Sequence, residues 1–200
     1  MENMEKGYKV IFLGESAVGK TTLIKISIGK IFDSESAPTL MASYFTKNFN
    51  YKKHNYAFCL WDTIGNEKYR SLTRMFYKDS KIVILVYDIT SKKSFNALDY
   101  WYQEVKNELG EDIILAIVGN KSDLFLEEQV SVEEGQKYAE MKHAFFQLSS
   151  AKNEAQNFID FLEKLFKEYI EKYLNKKNTN KKESKALNKK KLSKKKRGCC

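Results

Sequence analysis

Eight residues, GESAVGKT from Gly14 to Thr21, constrain this chain more than any other feature. They match the spacing G-x-x-x-x-G-K-[ST], between the apolar run Val10-Ile11-Phe12-Leu13 and a helical pattern from Thr22 to Ile28. A glycine-bounded turn between a strand and a helix aims successive backbone N–H groups and the positive helix end at one point, where phosphate oxygens bind. Gly14, Ser16, Ala17, Val18, Gly19 and Thr22 are the candidate backbone of that cradle. Lys20 is placed to lie on the β and γ oxygens, and Thr21 to give its hydroxyl to Mg²⁺, a hard ion that favours oxygen. The motif alone specifies a nucleoside triphosphate and no particular base.

The rest of the chain supplies the α/β context that the motif needs. Short apolar runs at Tyr8 to Leu13, Tyr56 to Trp61, Ile82 to Tyr87, Ile113 to Val118 and Ala144 to Leu148 alternate with helical patterns. Phe95, Leu98, Tyr102, Val105 and Leu109 recur at three and four, as do Phe158, Leu162, Leu165, Tyr169 and Tyr173, so each set predicts one amphipathic helix. Ser131 with Glu134 predicts a capping box, and Gly110 a helix end. Tyr44 to Tyr51 and Tyr56 to Trp61, joined by a polar turn over Lys52 to Asn55, predict an antiparallel pair; the other strands need crossovers and are expected to be parallel.

Charge divides the chain unevenly. Residues 175 to 200 hold 12 of the 35 Lys/Arg and one of the 26 acids, leaving 23 bases and 25 acids in the remainder. The net charge of +9 therefore belongs to a basic tail on a near-neutral domain, with the boundary expected after Leu174. Three cysteines, Cys59, Cys199 and Cys200, make no disulfide framework and fit a reducing compartment. The N-terminus shows no signal-peptide pattern and no run approaches a membrane span, so a membrane role is expected to come from outside the fold. His54 and His143 show no zinc spacing.

Two further short segments follow strands. NKSD, Asn120 to Asp123, emerges at a carboxyl end, where α/β sheets bind ligands. A carboxylate there accepts both the ring N–H and the exocyclic amine of guanine; adenine has no such donor pair and would strand Asp123, an error that polar sites reject by factors of order 10⁴. SAK, Ser150 to Lys152, follows the last strand. DTIGNEK, Asp62 to Lys68, sets an acid and a short amide just past a buried strand.

GESAVGKT, DTIG, NKSD and SAK, in this order and at strand ends, resemble the Ras-like small GTPases over residues 7 to 174. LVYDIT (Leu85 to Thr90), KYRSL (Lys68 to Leu72), FYKDS (Phe76 to Ser80) and the final GCC are similar to Rab segments, and TLMASYFTK (Thr39 to Lys47) resembles the endocytic branch. The resemblance implies a P-loop NTPase of Ras-like fold: a six-stranded, mostly parallel sheet with one antiparallel strand and helices on both faces. It implies GTP and GDP as ligands with Mg²⁺, held by Thr21, by Thr39, which also senses the γ-phosphate, and by Asp62 through water. It gives the γ-phosphate to Lys20, Thr39 and the Gly65 N–H, the guanine face to Phe32, and the base to Asn120, Lys121, Asp123 and the Ser150-Ala151-Lys152 loop. Tyr44, Trp61 and Phe76 fall where Rab proteins carry an effector-reading aromatic triad. Implied partners are an exchange factor, a GTPase-activating protein, a GDP-dissociation inhibitor, a prenylation escort protein and effectors; no nucleic acid is expected, and the chain is expected to be a monomer.

Two departures bear on activity. The family places glutamine after the DxxG glycine to orient the attacking water. Here it is Asn66, one methylene shorter, so the amide falls short by ~1.3 Å, and about 1 Å of misplacement can cost 10²-fold. Ile64, where alanine is usual, adds bulk beside the γ-phosphate, so slow intrinsic hydrolysis is expected. The alternative is a scaffold that binds GTP and barely hydrolyses it; an ATP-using P-loop enzyme is disfavoured by Asp123. The tail KKKLSKKKRGCC, Lys189 to Cys200, cannot build a core and is expected to be disordered. Its composition alone also suits nuclear localisation or nucleic-acid binding, but Cys199 and Cys200 resemble the doubly geranylgeranylated Rab terminus. Two lipid chains with flanking lysines would hold the protein on the cytoplasmic face of an anionic intracellular membrane, cycling with the cytosol. Ser193, among lysines, is a candidate phosphorylation site weakening that attraction.

Overall fold

The computed structural model describes residues 7–33, 37–65 and 73–175. Six strands form one sheet: β1 (Tyr8–Leu13), β2 (Ser43–Tyr51), β3 (His54–Asp62), β4 (Ile82–Asp88), β5 (Ile114–Asn120) and β6 (Phe145–Ser149). Their order is β2-β3-β1-β4-β5-β6, with β2–β3 antiparallel and the other four pairings parallel, as the sequence pattern predicts. The helices are α1 (Lys20–Ser27), α2 (Lys92–Asn96), α3 (Leu98–Leu109), α4 (Val132–Met141) and α5 (Ala155–Tyr169), with 3-10 turns at Arg74–Phe76 and Ser122–Glu127 and a π-helical turn at Ile170–Asn175.

Alternation along the central strands builds two cores. Ile82, Ile84 and Val86 of β4 pack with Val10 and Phe12 against Leu23 of α1 and Phe158, Leu162 and Phe166 of α5. Val83, Leu85 and Tyr87 face the other way, onto Phe95, Leu98 and Trp101 of α2 and α3 and Tyr138 of α4. A strand buried on both faces reads as an unbroken apolar run, which is why β4 and β5 were so plain in the sequence. Phe58 and Phe166 stack at 3.8 Å with planes 5° apart, locking β3 onto α5. Full burial of each such ring contributes about 1.5–3 kcal/mol.

Several boundaries differ from the sequence expectation. The β2–β3 turn is two residues, not four: Lys52 and Lys53 both adopt positive φ (47° and 66°), the backbone a tight hairpin demands, so pairing runs on to Tyr51 and His54. α1 begins at Lys20 rather than Thr22, because Gly19 at φ 97° lets the chain turn directly into the helix. The single helix expected over Phe95 to Leu109 is two, meeting at Ala97, and Trp101 rather than Tyr102 is the deeply buried ring. Ser131 Oγ does accept from the Glu134 N–H at 3.2 Å, while the Glu134 carboxylate pairs with Lys92. Gly110 ends α3 at φ 72°.

Every parallel strand points its carboxyl end the same way. The turns after β1, β3, β4, β5 and β6 therefore gather at one edge of the sheet, the place where such sheets form ligand crevices.

Candidate functional site

A cavity of about 430 Å³ opens at that edge. Its walls include Ser16, Ala17, Gly19, Lys20, Thr21 and Thr22 from the first turn, Phe32 and Thr39 from the segment before β2, and Gly65 after β3. Asn120, Lys121, Asp123, Ala151 and Lys152 close the other end. The sequence thus brings together residues up to 136 positions apart, from Ser16 to Lys152, because sheet order places their turns side by side.

The first turn is shaped by backbone conformation. Ala17 has φ 63°, a left-handed geometry that costs about 1–2 kcal/mol for a residue with a Cβ. At Gly19 a Cβ would lie 2.2 Å from Asn120 Nδ2. Asn120 Nδ2 donates to the Val18 carbonyl at 2.9 Å, so NKSD is tied directly to GESAVGKT. Lys20 is buried and its ammonium donates to the Gly14 and Glu15 carbonyls at 2.9 and 2.8 Å. Burial pushes that ammonium down to about 8, against the opposing pull of Asp62 and Glu15. A Cβ on Gly65 would come within 2.4 Å of Lys20 Nζ, so the DTIG loop abuts the lysine only because it ends in glycine.

Beside Lys20 three oxygens converge. Thr21 Oγ1 donates to Asp62 Oδ2 at 2.7 Å and lies 2.8 Å from Thr39 Oγ1. The other carboxylate oxygen, Asp62 Oδ1, is buried with no hydrogen-bond partner among the described residues. Burial holds the Asp62 carboxyl above its ordinary range, opposed by the Thr21 hydroxyl and Lys20. An orphaned carboxylate oxygen with two hydroxyls is a donor set that fits Mg²⁺, which prefers oxygen, keeps several waters and takes few protein ligands beside phosphate. No cluster of three His, Cys, Asp or Glu side chains exists among the described residues, so a purely protein cage is not built there.

At the opposite end Ser150 Oγ donates to Asp123 Oδ1 at 2.6 Å and accepts from the Asn153 N–H at 3.0 Å. One oxygen of Asp123, which lines the cavity, is thereby fixed. Besides Asp62, which Thr21 separates from the cavity, three of the candidate residues stand behind the wall rather than in it. Gly14 packs against the Val86 carbonyl and Val18 lies in the core, while Ser150 is fully buried beneath Asp123. Asp33, Ala37, Pro38 and Leu124 also line the cavity and were not singled out from the sequence. Their only sequence signal is adjacency to Phe32, Thr39 and Asp123.

Tyr44, Trp61 and Phe76 lie outside the cavity as a run of rings, with centroids 5.4 Å apart for Tyr44–Trp61 and 5.5 Å for Trp61–Phe76. Lys9 sits over Trp61 at 4.3 Å. Asn66, the Lys68 to Leu72 segment, Ser193, Cys199 and Cys200 lie outside the described residues. No helix among the described residues is long and apolar enough to cross a membrane.

A model of the Ras family matches residues 9–174. Human Ras-related protein Rab-22A is 38% identical over 145 residues, 72% of this chain and 75% of the relative. Human and bovine Ras-related protein Rab-21 are each 41% identical over 145 residues. That match spans 64% and 65% of their lengths, just under two thirds.

Proposed function

This chain belongs to the Ras family, in its Rab branch, and is a GTPase; from that premise we propose that it is a membrane-anchored GTP/GDP switch of endocytic traffic with slow intrinsic hydrolysis. The observation that carries the switch reading is the cavity's polarity. Lys20, Thr21 and Thr39 gather at one end, with Asp62 behind Thr21, and Asn120 with a Ser150-anchored Asp123 at the other, an arrangement suited to a triphosphate joined to guanine.

Each residue has a role that follows from its chemistry. Backbone N–H groups of Ser16 to Thr22 and the Lys20 ammonium would hold phosphate oxygens. Thr21 and Thr39 would hold magnesium, with Asp62 reached through water, and the ion supplies charge neutralisation on the phosphate oxygens when bound. Thr39 and Gly65 lie on the two segments flanking the cavity that would order around a γ-phosphate and relax without it. Phe32 and Ala151 border the base position, and Asp123 selects guanine by accepting two donors that adenine lacks. The Tyr44, Trp61 and Phe76 rings, beside those segments, are the proposed effector surface. Residues 1–174 form the switch and 175–200 a basic tether ending in the lipidated Cys199 and Cys200. The endocytic placement rests on the likeness of Thr39 to Lys47 to that branch.

Asn66 and Ile64 support slow hydrolysis. The nucleotide that co-purifies, identified chromatographically, and single-turnover decay of bound GTP in wild type and Asn66→Gln test the proposal together. A guanine nucleotide and faster decay in the variant are expected. Equal rates would remove the Asn66 argument. Undetectable decay in wild type would favour a GTP-holding scaffold, and an adenine nucleotide would overturn the switch.

A further inference from the structure

The LVYDIT segment resembles a Rab signature, yet none of the roles above uses its acid, Asp88. That carboxylate is buried and worked from every side. Asp88 Oδ1 accepts from the Thr90 N–H at 2.9 Å and from the Thr90 hydroxyl at 2.8 Å, which fixes its orientation. Asp88 Oδ2 meets Lys121 Nζ at 2.5 Å, with the carboxylate 10% and the lysine side chain 33% exposed. Register explains the meeting: Asp88 ends β4 opposite Asn120 at the end of β5, and Lys121 is the next residue.

Lys121 is itself unusually placed. Its backbone is left-handed, at φ 67°, an uncommon state for a residue with a side chain. With Ser16 and Ala17, the residue lines both the cavity described above and a neighbouring hollow of about 270 Å³ that Asp88 and Lys93 also border. Lys121, anchored at its tip by Asp88, is therefore part of the boundary between the two spaces. We propose that Asp88 is a positioning residue for guanine binding: it pulls the Lys121 ammonium aside, so that the alkyl stem presents a fixed apolar wall to the base. The inference rests on the guanine reading of the cavity and adds a specificity element outside the four quoted motifs.

The test uses the full chain and fluorescently labelled GDP. Asp88→Asn retains an oxygen for the Thr90 N–H but loses the charge that holds Lys121, and GDP release is expected to accelerate about tenfold. Because the defect lies at the base end, the directly measured affinity for inorganic tripolyphosphate, which carries no base, should remain as in wild type; a general loosening of the fold would weaken both. Lys121→Met keeps the stem and removes the ammonium, and the double variant should release GDP no faster than the faster single one, since both act through one contact. Unchanged release in Asp88→Asn, additive effects in the double variant, or a parallel loss of tripolyphosphate binding would each overturn the positioning role. Should Asp88→Asn fail to fold, the comparison of Lys121→Met with the double variant still decides: slower release on adding Asp88→Asn supports a carboxylate left stranded by the lost lysine, and faster release contradicts the shared contact. Wild type that binds no GDP at all would instead defeat the guanine reading itself.

Discussion

Replacing Gly65 by alanine sets a methyl 2.4 Å from Lys20 Nζ and 2.5 Å from the Glu15 carbonyl oxygen, where ordinary contact begins near 3.4 Å. About 1 Å must therefore be found on each side. Neither neighbour is free to retreat. Lys20 is buried with its ammonium bonded to two carbonyls, and one of those is Glu15 itself, just past β1. The Gly65 backbone is not left-handed, so the effect is steric rather than conformational. The easiest relief is an outward shift of the DTIG loop by about 1 Å, and in a positioned chemical step that displacement costs on the order of 10²-fold. GDP has no γ-phosphate for this loop to meet. Gly65→Ala should thus hydrolyse bound GTP roughly 100-fold more slowly in single turnover while releasing GDP within about threefold of wild type. If the loop cannot shift, the strain appears as a stability loss of about 1–3 kcal/mol in denaturant titration. A folded variant with wild-type hydrolysis and wild-type stability would refute the close packing of this loop on Lys20.

Two other expectations concern parts remote from the cavity. Phe58→Ala removes a ring stacked at 3.8 Å on Phe166 in a fully buried position, and should destabilise the fold by about 3–5 kcal/mol in guanidinium titration. Cys199→Ser with Cys200→Ser should leave the protein in the soluble fraction after cell lysis; continued sedimentation with membranes would count against lipidation at those residues.

The sequence disclosed most where function and local geometry share one short segment. GESAVGKT could be read because strand, turn, glycine and lysine lie within a dozen residues, and the structure places them around one cavity. Periodicity gave the strands because two-sided burial leaves no polar interruption. It erred at Lys52–Lys53, since a pair of lysines at positive φ carries none of the Asn or Gly signal of tight hairpins. It merged α2 and α3 because Ala97 leaves the three-and-four spacing intact. The contacts that organise the site were the least legible. Asn120 reaches Val18 across 102 residues and Lys121 reaches Asp88 across β4 and β5, and each depends on sheet register rather than on any local pattern.

Base choice by Asp123 at the end of a phosphate cradle is the claim on which the other roles depend. Isothermal titration of the nucleotide-free chain with GTP and with ATP, magnesium present in both, measures it directly. Tight uptake of GTP with ATP weaker by several powers of ten is the predicted result. Equal affinity for the two purines, or no heat with either, would contradict it.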